Sequence, residues 1–251
     1  MSRNAALFLV MCLVWGLTWL PVKIGAAHVP PIFLAAARFL VAGTLMLAWA
    51  GRDALRVPRS ALARLLGTAL LVNTGNYALL FWGIAHAPTG LAAIVNFGAI
   101  PVFTLLASRW LEAEPITPRQ VAALALGLLG LAFLFATRAM DSAGTAHASA
   151  AESWGLAAIA LGTLLYCVGA VLTRPISSAM PVLALAGWQT LIGGVGLSAV
   201  SLTLEPVEGR HFRALMSWPT LPALAFLIVA GSLAGFTIYM RLLRDWGAFR
   251  A

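Results

Sequence analysis

Arg38 stands inside an apolar stretch, between Leu34-Ala35-Ala36-Ala37 and Phe39-Leu40-Val41-Ala42. A guanidinium in that setting has two uses. Its planar fork suits a substrate carboxylate or another anion, or it holds structure by bonding backbone carbonyls or a neighbouring helix end. Amides and aromatics recur in other apolar stretches at helical spacing. Asn73, Tyr77 and Phe81 fall on one face with Asn76 beside them, Trp15, Thr18 and Trp19 form a second set, and Asn96 stands alone. In an apolar medium such groups line a cavity for a small, partly polar molecule or serve as interhelical hydrogen-bond glue.

Chemistry of other kinds lacks its residues. Every acid (Asp53, Glu112, Glu114, Asp141, Glu152, Glu205, Glu208, Asp245) falls in a loop or at a helix end. No carboxylate is left for an intramembrane proton relay, so proton coupling would have to use His86 or something outside this sequence. The chain has no HExxH, GxSxG or phosphate-binding Gly-rich loop. Cys12 and Cys167 are too few for a disulfide framework or metal cluster and read as small buried hydrophobes. Neither a metal nor a cofactor is implied, and the chain reads as no enzyme.

The elements that position these residues are membrane helices. Of 251 residues, 61% are hydrophobic and 10% charged, with a mean hydropathy of +0.94; soluble domains carry about 25% charged residues. Eight stretches are long enough to span a bilayer, near 5–26, 30–50, 61–84, 88–110, 119–137, 154–173, 180–203 and 219–243. The period-2 alternation of membrane strands is missing. The fold class is therefore an all-α polytopic membrane protein, with the lipid bilayer as its first partner. The net charge of +8 does not indicate nucleic acid. Arg3, Arg52, Arg56, Arg59, Arg64, Arg109, Arg119, Arg174, Arg241, Arg244 and Arg250 collect on one side, against Lys23, Arg138, Arg210 and Arg213 on the other. The positive-inside rule then places the N-terminus in the cytoplasm. Lys23, at the far end of the first span, reads as a side chain snorkelling to the interface.

The chain also repeats. Trp15 matches Tyr166, Lys23 matches Arg174, Pro30 matches Pro181, Arg38 matches Gln189, Leu40 matches Leu191 and Gly43 matches Gly194, all offset by 151 residues. Five spans precede a polar linker at 138–153, so the second copy starts on the opposite side of the membrane. An inverted repeat of this kind is a transporter signature. The division is 1–137, a first five-helix unit; 138–153, the linker; and 154–251, a second unit with three helices, or five plus three. Gly155, Gly162 and Gly169, and the Gly231/Gly235 pair, read as close-packing seams. The fifth span has no polar side chain between Val121 and Ala136, leaving it to face lipid or a second copy in a homodimer.

These residues resemble the ten-helix EamA branch of the drug/metabolite transporter superfamily. The resemblance rests on Leu13-Val14-Trp15-Gly16-Leu17-Thr18-Trp19, Ala36-Ala37-Arg38-Phe39, Tyr77-Ala78-Leu79-Leu80-Phe81, Ile100-Pro101-Val102-Phe103 and Glu112-Ala113-Glu114-Pro115-Ile116. It implies a bacterial-type inner membrane protein with two five-helix halves around a central cavity, exporting amino acids, related metabolites or drugs. Carried over by position, it puts Trp15, Trp19, Asn73, Tyr77, Asn96, Tyr166 and Tyr239 at the cavity. Thr18, Arg38, Asn76 and Gln189 complete the candidate set from the intramembrane polar residues. The resemblance makes Pro101 a gating bend and Glu114 a cap on the fourth helix. It also implies two helices beyond Ala251. Import of such a metabolite, or a truncated, non-transporting membrane protein, are the alternatives.

Overall fold

The computed structural model describes residues 3–52, 56–113, 116–142 and 150–246. Those residues form helices joined by short connections, with no strand among them. Seven segments are long and apolar enough to cross a bilayer: α1 (Arg3–Ala26), α2 (Pro31–Ala50), α3 (Arg59–His86), α4 (Thr89–Leu111), α6 (Ala150–Ser177), α7 (Val182–Leu204) and α8 (Thr220–Trp246). A further helix, α5 (Pro118–Ser142), occupies the place of the fifth expected span. The chain is an all-α polytopic membrane protein. Glu114 and residues 143–149 of the expected linker lie outside the described residues. What is described of 138–153 is helical, since α5 runs to Ser142 and α6 begins at Ala150.

Prolines punctuate the helix starts. Pro30, Pro88 and Pro181 precede α2, α4 and α7 with φ near −55°, a geometry that suits helix entry and removes a donor with no helical partner. Pro21 acts differently. Lacking an N–H, it cannot bond the carbonyl of Leu17, and α1 breaks at Thr18, whose hydroxyl donates to the Trp15 carbonyl at 2.6 Å. The first span is thus two helical pieces rather than one rod.

End contacts fix the alternation of the helices. At the end carrying the N-terminus, Asn4 Nδ2 donates to Asp245 of α8 at 2.8 Å, Phe8 packs on Trp246, and Arg174 pairs with Glu112 at 2.8 Å. At the other end, the Glu205 carboxylate accepts the backbone N–H groups of Ile32 and Phe33, both at 2.8 Å, and the Ser201 hydroxyl at 2.7 Å. It caps the start of α2 where orphan donors and the helix dipole favour an anion. Lys23 lies at that same end. Its Nζ donates to Ile84 O at 2.8 Å and to Ala85 O and Ala87 O at 3.4 Å. The lysine therefore caps the end of α3 and does not snorkel to the interface; carbonyls left over at a helix C-terminus outbid water for it.

The centre of the bundle is the crossing of α2 and α7. A Cβ added at Gly43 would lie 2.5 Å from Leu191 N, and one added at Gly194 would lie 2.8 Å from Leu40 N. The contact is reciprocal between residues related by the 151-residue offset, as a local two-fold requires. Around it, α3 and α4 pack on α6, α8 packs on α2, and α5 lies against α4. The seven-residue glycine pattern is the α3–α6 seam: Gly155 faces Gly83 O, Gly162 faces Asn76 O and Gly169 faces Val72. On the rim, the described side chains of α5 from Val121 to Gly130 are exposed except for half-buried Leu124. Cys12 also faces outward, contrary to its expected burial, while Cys167 is buried. Polar groups inside and apolar groups outside is the arrangement hydrocarbon imposes.

Two π-helical turns interrupt the rods, Leu70–Gly75 in α3 and Leu227–Ala234 in α8. On the repeat expected from the sequence, they fall at matching places once the longer connection before α8 is allowed for.

Candidate functional site

α1, α2, α3, α4 and α6 line a partly open cavity. Eight of the residues expected from sequence line it: Trp15, Thr18, Trp19, Arg38, Asn76, Tyr77, Asn96 and Tyr166. Trp15 and Trp19 flank the break at Thr18 and both line the cavity, with Trp19 edge-on to Phe97 at 5.7 Å between ring centroids. The other three, Asn73, Gln189 and Tyr239, line a much smaller gap across a wall made by Trp15, Tyr77 and Tyr166. Tyr239 ties the wall together, its ring 5.5 Å from that of Trp15 and 6.0 Å from that of Tyr166.

Arg38 is 3% exposed. Its Nε donates to Ser232 Oγ at 2.8 Å, and its guanidinium carbon lies 5.1, 5.6 and 5.7 Å from the ring centroids of Phe39, Tyr77 and Phe236. Cation–π attraction of this kind strengthens where water is excluded. Its counterpart Gln189 is fully engaged as a donor, Nε2 reaching Thr68 Oγ1 at 2.8 Å and Thr173 Oγ1 at 2.9 Å. One member of the pair opens onto the larger cavity; the other borders the smaller one, held there through its Nε2.

The remaining amides are partly satisfied. Asn96 Oδ1 accepts from Thr163 Oγ1 at 2.9 Å, whereas Asn76 Oδ1 is buried with no partner among the described residues. Trp188, at a mid-span position in α7, lines neither cavity. Nor do Glu112, Glu205, Glu208 or Asp245. His86 is exposed and turned back on its own helix, with Nδ1 2.7 Å from Trp82 O. Pro101 is an exposed interior residue of α4, four positions after Phe97 and beside the cavity residue Ile100. The Gly231/Gly235 pair admits α1: Gly231 O accepts from Trp15 Nε1 at 3.3 Å, and the indole edge covers Gly235.

Ser232 and Phe236 escaped the sequence reading. Ser232, Phe236 and Tyr239 share one face of α8 by their spacing of four and three. A lone hydroxyl among Val229, Ala230, Gly231 and Leu233 was the available signal.

Residues 3–136 match the EamA-like transporter family. The chain is 30% identical, over 96% of its length and 74% of the relative's, to the inner membrane transporter YedA of Escherichia coli K12. A Salmonella typhimurium protein named as a probable amino-acid metabolite efflux pump is 27% identical over the whole chain and 81% of its own length. A solved crystal structure superposes with a TM-score of 0.69 at 24% identity, covering 97% of this chain and 80% of that one. That last likeness concerns the fold alone.

Proposed function

The chain belongs to the EamA-like transporter family of the drug/metabolite transporter superfamily, and from that we propose that it exports a small organic metabolite across a bacterial inner membrane by alternating access. The observation that carries the reading is the cavity. It gathers Trp15, Asn76, Tyr77 and Asn96 with Arg38 in the interior of a membrane bundle, where polar side chains are costly unless they are used.

Two features support rocking halves built from an inverted five-plus-three repeat. The α2–α7 crossing is reciprocal, and helical ends alternate so that α6 begins at the end opposite to α1. The crossing serves as the pivot, and Pro101 supplies a bend, since α4 lacks the hydrogen bond that residue would donate to Phe97 O. The arginine-rich end that carries the N-terminus faces the cytoplasm under the positive-inside rule. Export of a metabolite is favoured by the name of the Salmonella relative.

Flux from proteoliposomes tests the reading. Protein inserted in one orientation and loaded with radiolabelled amino acids and aromatic acids should discharge at least one of them. Tyr77→Ala and Asn96→Ala should cut that discharge about tenfold or more while the protein still elutes as a single folded species. Absence of flux from folded, inserted protein refutes transport by this chain; uptake without discharge refutes export.

A further inference from the structure

We infer that the larger cavity selects a small organic monoanion, a carboxylate on an apolar body, and that Arg38 is the residue that binds its carboxylate. The inference rests on the transport reading of that cavity.

The first observation is an incomplete account of the arginine's donors. A guanidinium carries five N–H donors, and Arg38 uses one of them, Nε, on Ser232. Its terminal nitrogens have no protein acceptor among the described residues, although the side chain is almost entirely buried and borders the cavity. A guanidinium engaged only through Nε presents its two terminal amino groups as a fork, the arrangement that grips a carboxylate in two parallel bonds. Gly231 makes room for the guanidinium: a Cβ there would lie 3.0 Å from Arg38 Nη2.

The second observation is charge. No acidic side chain pairs with Arg38 among the described residues; Glu112 is paired with Arg174, Glu205 caps α2, Glu208 pairs with Arg210, and Asp245 bonds Asn4. The cavity therefore holds one uncompensated positive charge in a medium where charge is costly to leave unpaired. A monoanion neutralises it. An ammonium group finds no carboxylate there and is repelled by the guanidinium, so a zwitterion keeps the loaded cavity positive and a cation doubles the charge. Trp19, Leu80, Ile84, Phe97 and Ile100 supply apolar wall that suits a hydrocarbon or aromatic body, alongside the neutral polar groups of Thr18, Asn76, Tyr77, Asn96 and Tyr166.

Calorimetric titration of the purified full chain in detergent at pH 7.5 tests this with matched acid and amide probes: benzoate and benzamide, 3-phenylpropionate and its amide, 4-methylpentanoate and its amide, with phenylalanine as the zwitterion. For at least one pair the acid should bind about tenfold or more tightly than the amide, and 3-phenylpropionate should bind better than phenylalanine. Arg38→Gln should abolish the acid preference, and Arg38→Lys should keep part of it; Ser232→Ala, which leaves the fork in place, should preserve it. Loss of folding in Arg38→Gln does not rescue the idea, because the wild-type acid preference stands on its own. Equal binding of acid and amide, no acid binding in any pair, or an acid preference unchanged in folded Arg38→Gln overturns it and makes the arginine purely structural. Flux of an amide or zwitterion without acid preference sinks the inference and leaves transport intact. Arg38-dependent acid binding without flux does the reverse.

Discussion

One added methyl group tests the α2–α7 crossing. In Gly43→Ala the new carbon falls 2.5 Å from Leu191 N and 2.7 Å from Leu191 Cα. Both are backbone atoms of a helix, so no rotamer change can relieve the overlap and the helices must move apart. Overpacking of this kind costs about 1–3 kcal/mol. Opposing it, alanine is favoured over glycine in a helix by about 1 kcal/mol. With rigid backbone on both sides the cost lies near the upper end, for a net loss of about 2 kcal/mol. Gly67→Ala is the control: that glycine is exposed on α3 with nothing within 4 Å of the added carbon, so only the propensity gain of about 1 kcal/mol remains. At about 2–4 °C per kcal/mol for a chain of this size, the roughly 3 kcal/mol between the variants should separate their unfolding midpoints by about 6–12 °C. Fluorescence-detected thermal unfolding in one detergent measures it. Gly194→Ala should behave like Gly43→Ala, and the double variant should fall short of additivity because one separation relieves both overlaps. A Gly43→Ala midpoint at or above that of Gly67→Ala would refute the tight crossing.

Two further outcomes follow from the polar contacts. Glu205→Ala leaves the N–H groups of Ile32 and Phe33 without their acceptor and should cost about 2 kcal/mol, the sum of a lost cap and a lost charge at a helix N-terminus. Glu205→Gln keeps an acceptor oxygen and should cost about half of that; equal midpoints for Glu205→Ala and the wild type would discard the cap. Gln189→Leu removes two interhelical hydrogen bonds that in membranes contribute about 0.6 kcal/mol each. Its midpoint should fall by only a few degrees, with acid binding in the larger cavity unchanged, and a loss of that binding would contradict the separation of the two cavities.

Helix positions were legible because hydrocarbon demands long apolar runs, and Pro30, Pro88 and Pro181 mark starts that the structure keeps within about two residues. The break in α1 was not anticipated, although Pro21 carried the signal. Arg38 drew notice as a charge without company. Its partner did not, because a single serine in an apolar helix satisfies itself on its own backbone as readily as it serves another chain segment. Glu205 and Lys23 looked like ordinary end-of-helix charges, yet each caps a different helix, Glu205 across 173 residues of sequence and Lys23 across 61. Local pattern reveals that a residue is polar and buried; the identity of its partner is a property of packing.

The bond from Arg38 to Ser232 joins residues 194 positions apart, and that span is also a delay. At about 5–20 residues per second of synthesis, Ser232 emerges roughly 10–40 s after Arg38. Throughout that interval α2 has left the ribosome with the Arg38 Nε donor lacking its serine acceptor, and insertion of a central arginine costs about 2.5–3.5 kcal/mol on translocon scales. The helix must meanwhile hold its place on the strength of its apolar residues, and α8 completes it from behind. Insertion of α2 is thus finished by a segment synthesised long afterwards, which makes the nascent chain a better substrate for membrane quality control than the finished protein.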